Sequence, residues 1–181
     1  NGVTRLLKLL RHESPSVDRT AARLGIPTDG AFSASIVKTV HAAHTGKLST
    51  ARIWHGSLKD GTTIGDDRVS GIYRVVGGEN QKISEAGAGE LVALGRMDAV
   101  MTGDLLTDGG RKEDAGIVWP GVAAPVFSLA IAPQNRQDEV KLTASIAKLT
   151  EEDASLSMEQ NADTHQMLLL GQGEMHLKIA I

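Results

Sequence analysis

Residues 31 to 61 read AFSASIVKTVHAAHTGKLSTARIWHGSLKDG, and the order of polar and apolar positions in that stretch decides the fold. Phe32, Ala34, Ile36 and Val40 alternate with Ser33, Ser35, Val37 and Thr39. A period of two predicts a strand that buries one face. His44-Thr45-Gly46-Lys47 interrupts the pattern as a turn, and the chain returns from Leu48 to Trp54 as a second strand. Lys59-Asp60-Gly61 then supplies the glycine that a tight reversal needs, since glycine alone enters the left-handed region without steric cost.

Outward from this hairpin, residues 61 to 118 alternate short apolar runs with turn residues, the pattern of a barrel or sandwich. Strands are expected over 62 to 64, 69 to 76, 81 to 83, 90 to 94 and 104 to 106. Gly65-Asp66-Asp67-Arg68 and Gly77-Gly78-Glu79-Asn80 read as the turns between them. On the N-terminal side, Val3, Leu6, Leu7, Leu9 and Leu10 form an apolar stripe at helical spacing, with Asn1 as N-cap and Pro15 as terminator. Residues 16 to 30 read as a polar linker broken by Pro27 and Gly30.

A second linker is expected over residues 108 to 124. Beyond it, Pro125 opens a strand over 126 to 132 that Pro133 closes. Residues 137 to 153 read as a helix in which Val140, Ala144 and Ala147 share one face beside Leu142, Ile146 and Leu149, with Lys141 and Ser145 outward. Residues 156 to 160 and 166 to 170 form a hairpin around Asn161-Ala162-Asp163-Thr164, and helix resumes at Glu174. The order β-α-β-β-α is most of a ferredoxin-like split βαβ unit without its last strand, which predicts an open sheet edge.

Three motifs now give a family resemblance. F-x-A-x-I-x-K-T from Phe32, H-x-G-K-L-S-x-x-R-I from His44 and G-S-L-K-D-G from Gly56 resemble the start of the β-barrel second domain of translational GTPases, most of all elongation factor G. Ala86-Gly87-Ala88-Gly89-Glu90-Leu91-Val92-Ala93-Leu94 and Met101-Thr102-Gly103-Asp104-Leu105-Leu106 are similar to the last strands of that barrel. Gly171-Gln172-Gly173-Glu174-Met175-His176-Leu177 resembles the G-x-G-E-L-H-L signature of the third domain.

The resemblance implies a mostly β plus α+β chain. Residues 1–30 would be the last helix of a GTPase domain and a linker, 31–118 the barrel, and 119–181 the third domain, truncated before its last strand. It further implies a non-catalytic fragment of a GTPase that acts in ribosomal translocation, its role being ribosome docking and interdomain signalling. The chain starts at Asn1 rather than Met, so a piece of something longer is expected. Implied partners are the ribosome, through rRNA and ribosomal proteins, and the factor's own GTPase domain. GTP and Mg²⁺ belong to the full-length protein, with no cofactor or metal expected in this chain, and the location is cytoplasmic. At Gly65 the family commonly has a longer basic loop, absent here. A ribosome-protection protein or another paralogous GTPase shares the domain order, and an unrelated barrel-based binding module is the reading from a different class.

Composition agrees with these bounds. A net charge of -3 excludes a globally basic nucleic-acid binder, so any RNA contact needs a local patch. Two Trp, one Tyr and two Phe in 181 residues leave the cores to aliphatic packing, and the absence of Cys excludes disulfides and thiolate-bound zinc. No run approaches the roughly 20 apolar residues of a membrane span.

Candidate chemistry is thin. Gly46-Lys47 is no phosphate loop, because the spacing would need Gly at His41 and Ser or Thr at Leu48. No N-K-x-D element occurs, and no catalytic residue is assigned. Gly171-Gln172-Gly173-Glu174 reads either as backbone amides offered to an anion or as a tight strand-to-helix turn with Glu174 at the positive helix end. His176 with Glu174 invites a metal or acid-base reading, but no second His stands at i, i+4. Asp66-Asp67 and Glu151-Glu152-Asp153 read as solvated charge runs. The functional weight falls on Lys47, Arg52 and Lys59, which the resemblance makes candidates for rRNA phosphate contacts, with Arg68 and Arg74 on the next hairpin.

Overall fold

A computed structural model describes residues 2–42, 45–113 and 121–181. The chain divides into two units, one of residues 1–38 with 47–118, the other of 39–46 with 119–181. The positions read as an N-cap (Asn1), as the first turn residue (His44) and as the middle of the second linker (114–120) lie outside the described residues.

The first unit opens with α1 (Val3–Glu13), whose five apolar residues are each more than half exposed. The expected linker that follows is a helix instead. In α2 (Val17–Leu24) the Ser16 side chain caps the start by accepting the Arg19 N–H, and Gly25 ends it in the left-handed conformation at φ 68°. Val17, Ala21 and Leu24 fall at i, i+4 and i+7, so one face buries Ala21 beside Ile26, Trp54 and Leu105. Pro27 and Gly30 act only after this helix is complete.

The strands are β1 (Phe32–Ala42), β2 (Gly46–Lys59), β3 (Thr63–Ile64), β4 (Asp67–Arg68), β5 (Ile72–Val76), β6 (Glu79–Ile83), β7 (Glu85–Gly87), β8 (Leu91–Gly95), β9 (Leu105–Thr107) and β10 (Gly110–Lys112). The main antiparallel sheet runs β10-β9-β1-β2-β8-β5-β6, with β7 on the far half of β2 and β3-β4 a separate hairpin. Two turn and linker expectations shift accordingly. Residues 67–68 are strand rather than turn, and 110–112 close the last hairpin rather than begin a linker.

β2 serves two sheet segments, pairing β8 over 48–52 and β7 over 57–59. It turns between them at Gly56, φ 69°, where a Cβ would lie 1.9 Å from the Ala31 carbonyl oxygen. The core inside collects Ile36, Ile53, Leu58, Ile72, Leu94, Met97 and Leu106, each fully buried and each contributing about 1.5–3 kcal/mol by leaving water. Ser33 and Ser35 on the other face of β1 are buried too, because α2 and Trp54 cover the side that alternation assigned to solvent. Past Lys38 the burial parity inverts, with Thr39 buried and Val40 exposed, where the chain groups with the second unit.

The second unit contains β11 (Phe127–Ile131), α3 (Glu139–Glu152), β12 (Ser157–Gln160), β13 (Met167–Gly171) and α4 (Glu174–Ala180). Its sheet order is β11-β13-β12, so among the described residues β11 pairs on one side only and the predicted open edge is there. α3 buries Ile146, with Leu142 and Leu149 partly covered against Leu156, Leu169 and Leu177. The face read from Val140, Ala144 and Ala147 points to solvent, Val140 being 80% exposed. Both stripes have helical spacing; the larger Leu and Ile side chains give more buried area, and that decides which turns inward.

Candidate nucleic-acid interface

Lys47, Arg52 and Lys59 all lie on β2, yet the strand does not bring them together. At about 3.3 Å per residue, Lys47 and Lys59 are separated by up to roughly 40 Å of strand, and alternation along 47–53 places Arg52 on the opposite face from Lys47. Lys47 is only 7% exposed, and its Nζ donates to the Asp98 carbonyl at 2.8 Å. It follows the odd-position side of β2 with Ser49, Ala51 and Ile53, which faces inward, so it is unsuited to a phosphate contact from solvent. Arg52 stacks 5.6 Å above the Trp54 ring, while Trp54 donates its Nε1–H to Ser35 Oγ at 2.7 Å. Lys59 is exposed at the end of the strand.

The remaining cations divide into paired and unpaired. Arg74 meets Glu90 at 2.8 Å, and Glu90 also accepts the Gly87 N–H at 2.7 Å. That amide first, and then Arg74, hold the Glu90 carboxyl below its ordinary range. The A-G-x-G-E motif is therefore a turn whose acid locks its own backbone. Likewise Asp104 accepts the Met101 N–H at 2.7 Å and pairs with Arg111 at 3.1 Å, which fixes the M-T-G-D turn. Arg68, by contrast, lines an open cleft of about 670 Å³ with Asp60, Gly61, Val69, Ser70 and Arg96. Nothing in the sequence singles out Arg96; its local signal is only a turn between Gly95 and Met97.

In the second unit the G-Q-G-E stretch is a strand-to-helix turn. A Cβ on Gly171 would lie 2.6 Å from Leu177 Cδ2, so the glycine lets α4 close on β13. Glu174 pairs with Lys178 at 2.7 Å within a seven-residue helix. His176 pairs not with Glu174 but with Asp153, Nε2 to Oδ2 at 3.1 Å, while its Nδ1 accepts the Gln172 N–H at 3.1 Å. Ser155, chiefly through its hydroxyl, and then His176 keep the Asp153 carboxyl below its usual 3.8. This is a hydrogen-bonded clasp between α4 and the end of α3. The charge run 151–153 is also less solvated than expected: the His41 ring meets Glu151 at 2.6 Å and the His41 amide donates to Glu152. Among the described residues no group of His, Asp or Glu is arranged to hold a metal ion, and no helix is long and apolar enough to cross a membrane.

A multistranded antiparallel barrel followed by a split βαβ unit is the architecture of the second and third domains of translational GTPases. The model of "Elongation factor G domain 2" matches residues 31–109, and that of "Elongation Factor G, domain III" matches 122–181. An elongation factor G-like protein of Synechocystis is 41% identical over 99% of this chain and 27% of its own length. Elongation factor G 1 of Syntrophomonas wolfei is 32% identical over 82% of this chain and 23% of its own length. A crystal structure of a Thermus thermophilus protein superposes with a TM-score of 0.80 at 30% identity, covering 99% of this chain and 27% of that one. The chain belongs to the elongation factor G-like family and carries its second and third domains. It spans about a quarter of the length of these relatives.

Proposed function

We propose that this chain is the ribosome-docking and signal-transmitting part of an elongation factor G-like GTPase that acts in ribosomal translocation. The observation that supports this most is the succession of the two family domains, 31–109 and then 122–181, in one chain. In this reading GTP and Mg²⁺ are bound by another domain of the full-length protein, and the barrel and split βαβ unit act through contacts with rRNA, ribosomal proteins and that GTPase domain. Arg52 and Lys59 are the members of the β2 set with charge available to phosphates, each acting alone. Binding is expected to weaken with salt as counterions are released.

Sedimentation of the 181-residue chain with purified small ribosomal subunits, in competition with intact elongation factor G, tests the reading. Saturable binding that the intact factor displaces is the expected result. Absence of binding at low salt, or binding that the factor does not displace, overturns it.

A further inference from the structure

The cleft beside the β3-β4 hairpin is built from three segments that the backbone ties together. The Gly61 N–H donates to the Val69 carbonyl at 3.0 Å, the Val69 N–H to the Thr62 carbonyl at 3.0 Å, and the Ser70 N–H to the Gly95 carbonyl at 3.1 Å. Arg96, the next residue, is held from the other side by its own N–H on the Lys47 carbonyl at 3.4 Å. Arg68 of β4 and Arg96 of the loop after β8 therefore line the same opening.

Their state differs from that of the other barrel arginines. Arg74 and Arg111 are neutralised by carboxylates and Arg52 rests on an aromatic ring. Among the described residues, Arg68 and Arg96 form no ion pair. The one acid of the cleft, Asp60, is already engaged: Oδ1 accepts the Gly71 N–H at 2.8 Å and Oδ2 meets Lys82 at 3.2 Å. Asp66 and Asp67, close in sequence, do not line the opening. Arg68, Arg96 and Lys82 thus stand against a single carboxylate, an excess of two positive charges around a polar, open volume.

Arg96 carries a second mark. Its φ of 58° puts a β-carbon-bearing residue in the left-handed region, which among the described residues only His165 shares. That conformation costs about 1–2 kcal/mol that glycine would not incur. A turn that needs only the backbone shape would take Gly or Asn; an arginine there adds a cation to the lining of the cleft at the cost of strain, a cost that concentrates where a ligand is held.

We infer that Arg68 and Arg96 form a phosphate-binding cleft that takes a backbone phosphate of RNA, a role that rests on the ribosome-docking reading above. Planar guanidinium forks suit phosphate oxygens, and two of them converging fix a phosphate in place where scattered lysines would only attract it. The cleft volume of about 670 Å³ is large enough to admit a nucleotide unit. Ser70 at its wall adds a hydroxyl to the lining.

The test measures binding of the 181-residue chain to purified small ribosomal subunits across a KCl series, for the unsubstituted chain, the R68Q/R96Q variant and the R68K/R96K variant. Each phosphate neutralised contributes about 0.7–0.9 to the slope of log K against log salt, so R68Q/R96Q, which releases the one phosphate that both arginines hold, should lower the slope by about 0.7–0.9. R68K/R96K keeps the charge and should keep the slope. A slope in R68Q/R96Q equal to that of the unsubstituted chain, with binding intact, overturns this inference and leaves the docking reading standing. An R68K/R96K slope lowered as much as that of R68Q/R96Q also overturns it, since the effect would then be structural. If the unsubstituted chain does not bind the subunits, the docking reading falls and the RNA assignment falls with it.

Discussion

Replacing Gly56 by Ala should destabilise the barrel far more than its single methyl group suggests. Two effects add. The first is conformational: φ is 69°, where a Cβ costs about 1–2 kcal/mol, offset by the roughly 0.4–1 kcal/mol that alanine gains through a less disordered unfolded chain. The second is steric. The new Cβ would sit 1.9 Å from the Ala31 oxygen, 3.0 Å from its carbonyl carbon and 3.2 Å from Phe32 Cα, all backbone atoms at the start of β1. A carbonyl that must withdraw by about 1 Å shifts the first strand against its core, which costs about 1–3 kcal/mol. The total is about 3 kcal/mol, or about 12–24 °C in Tm for a domain of this size. Gly77→Ala isolates the first effect, because Gly77 has a φ of 61° and nothing within 4 Å of its missing Cβ. Thermal and urea unfolding followed by Trp54 fluorescence in a Trp119→Phe background would compare the two, since the chain has two tryptophans. A Gly56→Ala cost within about 0.5 kcal/mol of that of Gly77→Ala would refute the steric argument.

Other outcomes follow from the same geometry. Trp54→Phe removes the Nε1–H that Ser35 Oγ accepts at 2.7 Å and should cost about 1–3 kcal/mol, with the Trp54→Phe, Ser35→Ala double variant recovering part of that loss in urea midpoints. Asp153 has a folded pKa below its ordinary 3.8, so its contribution to stability is complete above that value and is lost as pH falls through the lower folded value. The urea midpoint of the second unit should therefore drop in acid, and Asp153→Asn should remove part of that drop; equal acid slopes in the two proteins would refute the clasp. The chain should show no saturable heat with GTP and Mg²⁺ in isothermal titration, since Gly46-Lys47 lacks phosphate-loop spacing; micromolar binding would refute that.

The barrel was legible because its strands obey a period of two and its turns carry glycines at positive φ, as Gly46, Gly61 and Gly65 do. The helix α2 was legible in principle: Ser16, the i, i+4, i+7 run of Val17, Ala21 and Leu24, and the terminal Gly25 are a start, a face and a stop. It was lost because Asp18, Arg19, Thr20 and Arg23 make the segment polar on average, and mean polarity hides one narrow apolar face. The face of α3 failed differently. Val140, Ala144 and Ala147 compete with Leu142, Ile146 and Leu149 at equal spacing, and spacing alone cannot choose between stripes that differ in size. The buried outer face of β1 was not legible at all, because α2 and Trp54, remote in sequence, supply its cover.

The candidate interface shows why charge is harder to read than fold. On β2, Lys47 shares its parity with Ser49, Ala51 and Ile53, all buried, and that alternation could have placed it inside on sequence alone. A lysine with a long apolar stem can follow such a face if its ammonium finds an acceptor, and the Asp98 carbonyl is one. Whether a surface cation is available to a ligand depends on a further fact that spacing does not contain, namely which acids reach it. Arg74 and Arg68 look alike on successive strands, yet Glu90 takes the first and no carboxylate among the described residues takes the second. Beside Lys59, positive charge that remains after pairing therefore also lies off the hairpin that organises the sequence, at a strained turn whose arginine only the folded backbone brings to the cleft that Arg68 lines.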